Sequence, residues 1–135
     1  PEECARALVE VGAEVVAIKL GKQGSLVATA GGVLRVPGFA VQTRDSTGAG
    51  DNFDAGLIAG FLGGLSWEGA ALLGNALGAM SATRVGASTA GPAAREVLQL
   101  LGHHQEVDHE AIDQAIGLVT ALSTEPDKEG KPWWK

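Results

Sequence analysis

One cysteine, one methionine and no tyrosine occur in 135 residues, and aromatic side chains make up only 4%. With Cys4 alone no intrachain disulfide can form, so a reducing compartment is the simplest reading and a cytoplasmic location is expected. No CxxC motif or neighbouring histidine activates that thiol, and no redox or catalytic role is assigned to it. No apolar run reaches the roughly 18 residues that a membrane-spanning helix needs, and no charged-then-apolar leader opens the chain. Basic residues are the minority, with 10 Lys and Arg against 16 Asp and Glu, a net charge of −6. A broad basic face is therefore excluded, and neither nucleic acid nor an anionic membrane is expected as a partner. A small anion gripped by main-chain amides is not excluded by that charge. The chain opens at Pro1 and runs directly into helical pattern, which reads as a fragment or a processed product.

What is abundant is glycine, 20 residues, about twice the usual share. The glycines fall at turns and at two loops between patterned segments. Residues 2–11 read as a short amphipathic helix with Ala5, Leu8 and Val9 on one face, stopped by Gly12. Glu14–Leu20 is apolar and β-branched and reads as a buried strand. Gly21-Lys22-Gln23-Gly24 is a turn, Ser25–Thr29 a second strand, and Val33–Val36 a third strand ended by Pro37-Gly38. Helices follow from Gly50 to Leu62, then from a Ser66 N-cap to about Val85, with Ala70, Leu73, Leu77 and Met80 as the core stripe. Gly91-Pro92 opens a helix ending near Gly102. A last helix fits 108–122, with Ile112, Ala115, Ile116, Val119 and Leu122 inward. Residues 1–122 are expected to form one α/β domain, and 123–135 a polar tail.

The motif richest in chemistry is Asp45-Ser46-Thr47-Gly48-Ala49-Gly50-Asp51-Asn52-Phe53-Asp54-Ala55-Gly56. A Gly-Ala-Gly turn leads into a helix whose first amides carry partial positive charge and suit phosphate. Asp51 stands at that helix mouth, where a carboxylate can take a proton from an attacking hydroxyl. An anion cradle beside a base is what phosphoryl transfer to an alcohol requires. Gly56 lies where close helix packing is needed. By contrast, Gly21–Gly24 alone is no more than a hairpin turn. His103, His104 and His109 fit no zinc spacing, and no metal site is assigned. Arg84 and Arg95 are expected in surface pairs or at helix ends. Trp133-Trp134 reads as an interface patch or part of the tail. A dinucleotide-binding reading fails for want of GxGxxG.

The motif resembles the C-terminal signature of the ribokinase/PfkB family of carbohydrate kinases, D-T-x-G-A-G-D-x-F-x-x-G, with Ser46 keeping the hydroxyl of the commoner threonine. Val16–Ser25 is similar to that family's strand and nucleotide loop. Asn75–Ala87 is similar to its later helix, which ends in T-R-x-G-A. Together these cover residues 1–95. The resemblance implies the C-terminal portion of a ribokinase-like three-layer α/β/α sandwich and ATP-dependent phosphoryl transfer to a sugar, nucleoside or related alcohol. It implies that Asp51 is the base and that the amides of Gly48, Ala49 and Gly50 form the anion hole. Lys19, Gly21 and Gly24 would lie along the nucleotide, and Asn75 near its adenine or ribose. ATP and Mg²⁺ are the implied cofactors. A monovalent cation such as K⁺ is implied beside Asp45–Thr47 and Ser81–Gly86.

Members of that family run to about twice this length, and their N-terminal part carries the sugar site and an Asn-x-x-Glu motif linked to magnesium and phosphate. No Asn-x-x-Glu occurs in this sequence. Two partner arrangements are accordingly expected, a homodimer or association with a missing N-terminal half. The alternative of another class is a truncated, non-catalytic nucleotide-binding or self-associating module, for which an unpaired edge strand would be the signal.

Overall fold

Alternating side chains divide the strands between two apolar layers. The computed structural model describes residues 1–86, 92–103 and 108–124. In chain order these form α1 (Glu2–Glu10), β1 (Val15–Lys19), a 3₁₀ turn (Gly21–Gln23), β2 (Ser25–Thr29), β3 (Gly32–Val36), α2 (Ala49–Leu62), α3 (Trp67–Ala82), α4 (Ala94–Gly102) and α5 (His109–Thr124). The strands make an antiparallel meander in the order β1-β2-β3, with Val16 opposite Ala28 and Ser25 opposite Val36. Leu26 and Ala28 of β2 pack with Ala5 and Val9 of α1, together with Val16, Ile18 and Val33. Val27 and Val36 pack on the opposite side with Leu72 and Ala76 of α3, Val97 and Leu101 of α4, and Ile112 and Ala115 of α5. The result is three layers: α1, the sheet, and the remaining helices. The expected α/β/α arrangement is therefore present in this portion.

The second strand and the Ser66 cap fall where the sequence places them, and Ser66 Oγ accepts from the Gly69 amide at 3.1 Å. Several expectations need correction. β1 is a half-buried edge strand, not a buried one, because only β2 lies beside it among the described residues. α3 is buried on every side from Gly69 to Ala76, so the expected stripe is a full circumference; Leu77 and Met80 at its end are only half-buried. Such a helix is surrounded rather than amphipathic, here by the sheet, α2, α4 and α5. It ends at Ala82, short of Val85. Leu8 and Leu122, read as inward, are 50% and 65% exposed. Pro92 precedes α4 instead of sitting in its first turn. α5 runs on through Thr124. Gly91, Ala87, His104 and the Trp133-Trp134 pair lie outside the described residues.

The close seam between α2 and α3 carries the signature motif. A Cβ on Gly56 would stand 2.8 Å from Gly74 Cα, one on Gly60 2.7 Å from Ala70 Cα, and one on Gly78 2.9 Å from the Ala49 carbonyl. Glycine at these positions lets backbone lie on backbone, which is why a helix so rich in small residues still packs tightly. Asn52 crosses the seam, its amide nitrogen donating to Gly48 O at 2.9 Å and to Ser81 Oγ at 3.1 Å. Beyond α3, Arg84 pairs with Glu96 at 2.5 Å, as expected of a surface arginine, and Glu96 also accepts from the Ala93 amide at 2.8 Å.

Candidate active site

The turn ahead of α2 is built by Asp45 and Gly48. Asp45 Oδ1 accepts from the Thr47 amide at 2.9 Å, an Asx turn, and its Oδ2 accepts from the Gly86 amide at 3.2 Å. The Thr47 hydroxyl first, then the Thr47 and Gly86 amides, hold the Asp45 carboxyl below the usual carboxylate range. The amides of Arg44 and Asp45 both donate to Ala82 O, at 2.8 and 3.2 Å, so the loop is fastened to the end of α3. Gly48 caps α2 at φ 79°, a left-handed conformation that favours glycine.

A helix start leaves its first amides without intrahelical partners. Here the Ala49 amide donates to Ser46 O at 3.1 Å. Those of Gly48, Gly50 and Asp51 have no partner among the described residues. Asp51, third residue of α2, is exposed, and its carboxylate makes no hydrogen bond or ion pair among the described residues. It is turned away from the core and is free to meet a ligand.

Ala49 and Gly50 open onto a cleft of about 840 Å³, which is also lined by Lys19, Gly21, Gly24 and Asn75. Six of the eight residues proposed from the sequence thus share one cavity. Gly48 and Asp51 are next to it in the chain but do not line it. Sequence reasoning missed most of the opposite wall, Gly38, Phe39, Ala40, Val41 and Thr43. The Pro37-Gly38 pair that ends β3 was the available signal. Gly24 and Gly38 touch through their backbones: a Cβ on Gly24, at φ 91°, would lie 2.1 Å from Val36 O and 2.5 Å from Gly38 N. Gly24 is therefore required by its own fold whether or not a ligand is bound.

Asn75, buried in α3, donates through its amide nitrogen to the carbonyls of Val36 and Pro37, both at 3.1 Å. Both of its N–H bonds are thereby engaged, leaving Oδ1 as the group able to face a ligand. Lys19 reaches across to α2, with Nζ 2.8 Å from Asp54 Oδ2 and 3.4 Å from Gly50 O, over the Phe53 ring at 5.9 Å. Among the described residues no group of three or more His, Cys, Asp or Glu side chains could hold a metal ion, and no helix is long and apolar enough to cross a membrane.

A three-layer α/β/α fold with a glycine turn entering a helix beside a β-hairpin loop defines the ribokinase-like class, and comparison with solved structures agrees. A ribokinase-type structure from E. coli, solved with ATP and Mg²⁺, superposes with a TM-score of 0.71 at 31% identity, covering 77% of this chain and 34% of that one. A fructokinase double mutant from Vibrio cholerae, solved with fructose, ADP and a potassium ion, gives a TM-score of 0.64 at 32% identity over 73% of this chain and 34% of its own. In sequence, the ribokinase of Haemophilus influenzae is 38% identical over 92 residues, which is 68% of this chain and 30% of the relative. The family model for pfkB family carbohydrate kinases matches residues 1–94. The chain belongs to the pfkB family of carbohydrate kinases. It spans about a third of the length of these relatives.

Proposed function

We propose that this chain supplies the nucleotide site, anion hole and catalytic carboxylate for ATP-dependent phosphoryl transfer to a hydroxyl of a sugar, nucleoside or related small alcohol. One observation carries the reading: unpartnered amides at the mouth of α2 adjoin the same cleft as Lys19, Gly21 and Gly24. Fixed amide dipoles act most strongly on a transition state that spreads negative charge over phosphoryl oxygens. The Gly48, Gly50 and Asp51 amides are available for this, and the Ala49 amide joins them only by sharing its bond to Ser46. The exposed Asp51 carboxylate orients the acceptor hydroxyl and takes its proton as the O–P bond forms. Gly21 and Gly24 let the backbone approach the nucleotide, and Asn75 offers Oδ1 to an adenine or ribose donor.

Relatives solved with ATP and Mg²⁺, or with ADP and potassium, support a nucleotide here. The described residues provide no carboxylate cluster for Mg²⁺, so none is assigned to it and it enters as part of the nucleotide substrate. The reading extends to a monovalent cation beside this turn. Asp45 and the stretch from Ser81 to Gly86 are bonded together, bringing carbonyl and carboxylate oxygens beside the turn, and a bound cation there would stiffen the turn's geometry.

Calorimetric titration of the chain with Mg·ATP tests the nucleotide site. Saturable binding is expected, and a folded chain that binds neither ATP nor ADP overturns the reading. In an assembled enzyme, Asp51→Asn lowers turnover by about a hundredfold or more; near-normal turnover removes Asp51 from the mechanism. A second reading, a self-associating nucleotide-binding module without turnover, is favoured by the edge of β1, which pairs with β2 alone among the described residues. Binding of ATP without phosphorylation of any sugar, together with concentration-dependent association, would select it.

A further inference from the structure

Lys19 and Asp54 form an ion pair between the end of β1 and the second turn of α2, 35 residues apart in sequence. An exposed pair of this kind adds little to stability, and with side chains 44% and 50% exposed this one is no exception. Its placement has more to say. Lys19 lines the cleft and Asp54 does not. The lysine stem lies along Gly50, with Nζ, Cδ and Cε 3.4, 3.9 and 3.9 Å from where a Cβ on that glycine would be. Nζ points one hydrogen bond at Asp54 and a longer one at Gly50 O. An ammonium has three N–H donors, so one remains after these two. The cation is thus held close to Gly50, whose own amide has no partner among the described residues.

We infer that Asp54 is a positioning residue: it holds Lys19 over the mouth of α2 so that the free N–H of Nζ meets a phosphate oxygen of the bound nucleotide. The inference rests on the nucleotide reading above and extends it to a cation held in fixed geometry. A lysine stem has four rotatable bonds and loses considerable freedom when its head is fixed. A carboxylate that fixes it before the ligand arrives removes that loss from the binding step.

The test is a double-mutant cycle on this chain, reading affinity for Mg·ATP and for adenosine by calorimetry, with thermal unfolding recorded for each variant. Lys19→Met should weaken ATP about tenfold or more, the effect of one charge-assisted contact, and leave adenosine unchanged. Asp54→Ala should weaken ATP about threefold to fivefold, again sparing adenosine, because the ammonium is present but loose. In the Lys19→Met background, Asp54→Ala should weaken ATP no further. Exchanging the pair, Lys19→Asp with Asp54→Lys, should keep the unfolding temperature near that of the starting chain yet leave ATP as weak as in Lys19→Met. The inference is overturned if Asp54→Ala tightens ATP, weakens ATP and adenosine alike, or acts equally with and without Lys19. It is also overturned if the exchanged pair binds ATP normally. Failure of the unaltered chain to bind ATP at all would instead remove the nucleotide reading on which the inference stands.

Discussion

Replacing Gly56 with alanine should loosen the seam that carries the signature turn. An ideal Cβ at this position stands 2.8 Å from Gly74 Cα, 2.9 Å from Gly74 N and 2.9 Å from Leu73 O. All three are backbone atoms of α3, so no side chain can rotate away. Carbon contacts settle at about 3.5–4.0 Å, so the helices must part by roughly 0.7–1.2 Å. Overpacking of this kind costs about 1–3 kcal/mol. Against it, alanine regains about 0.5–1 kcal/mol of backbone entropy within a helix. The expected net loss is about 0–2.5 kcal/mol, or up to about 10 °C in midpoint at roughly 4 °C per kcal/mol for a chain of this size. Gly117 is the matched control: it lies within α5, is exposed, and an added Cβ meets nothing within 4 Å. Gly117→Ala should raise stability by about 0.5–1 kcal/mol through the same entropy gain. Urea and thermal unfolding of the two variants measure the difference directly. If Gly56→Ala proves as stable as Gly117→Ala, backbone contact at the seam does not limit the packing of α2 on α3.

Further outcomes follow from the site. Asn75→Ala should lower stability by about 2–4 kcal/mol, since it strips the Val36 and Pro37 carbonyls of their donor and leaves a cavity; urea midpoints check it. Gly24→Ala should lose more than about 3 kcal/mol, combining a strained backbone with a collision into Val36 O; circular dichroism during a melt reports the loss. Asp45 has a folded-state pKa depressed by Thr47 and Gly86, so its contribution is present above the unfolded value of about 3.9 and is lost as pH falls through the lower folded one. Asp45→Asn should therefore lower stability at pH 7 and shrink the difference in urea midpoint between pH 7 and pH 3.

Local signals were the legible ones. Ser25–Thr29 has β-branched residues bounded by glycine on one side, and Ser66 precedes an acidic first turn, so strand and cap could both be read. The glycine turn and its helix were legible because Gly48 must be left-handed and Gly56 must pack closely. What failed depended on neighbours. A run such as Val-Val-Ala-Ile suits a central or an edge strand equally, and only the pairing partner decides. The apolar residues of α3 looked like a stripe because its other buried positions, Leu72 apart, are Gly, Ala, Ser and Asn, small enough to be buried without appearing hydrophobic. Leu8 and Leu122 matched a helical period but lie where no second layer covers them among the described residues. The pairing of Lys19 with Asp54 spans 35 positions, and no local pattern links the two.

The meeting of Gly24 with Gly38 joins what the chain keeps separate. The hairpin bend and the stretch leaving the sheet are pressed together main chain to main chain, with Asn75 bolting the second of them to α3. That side of the chamber must therefore travel as a single slab. A guest that needs more room cannot pry one lip from the other, so accommodation falls to the residues from Ala40 onward, where the slab ends and no strand or helix begins until Ala49.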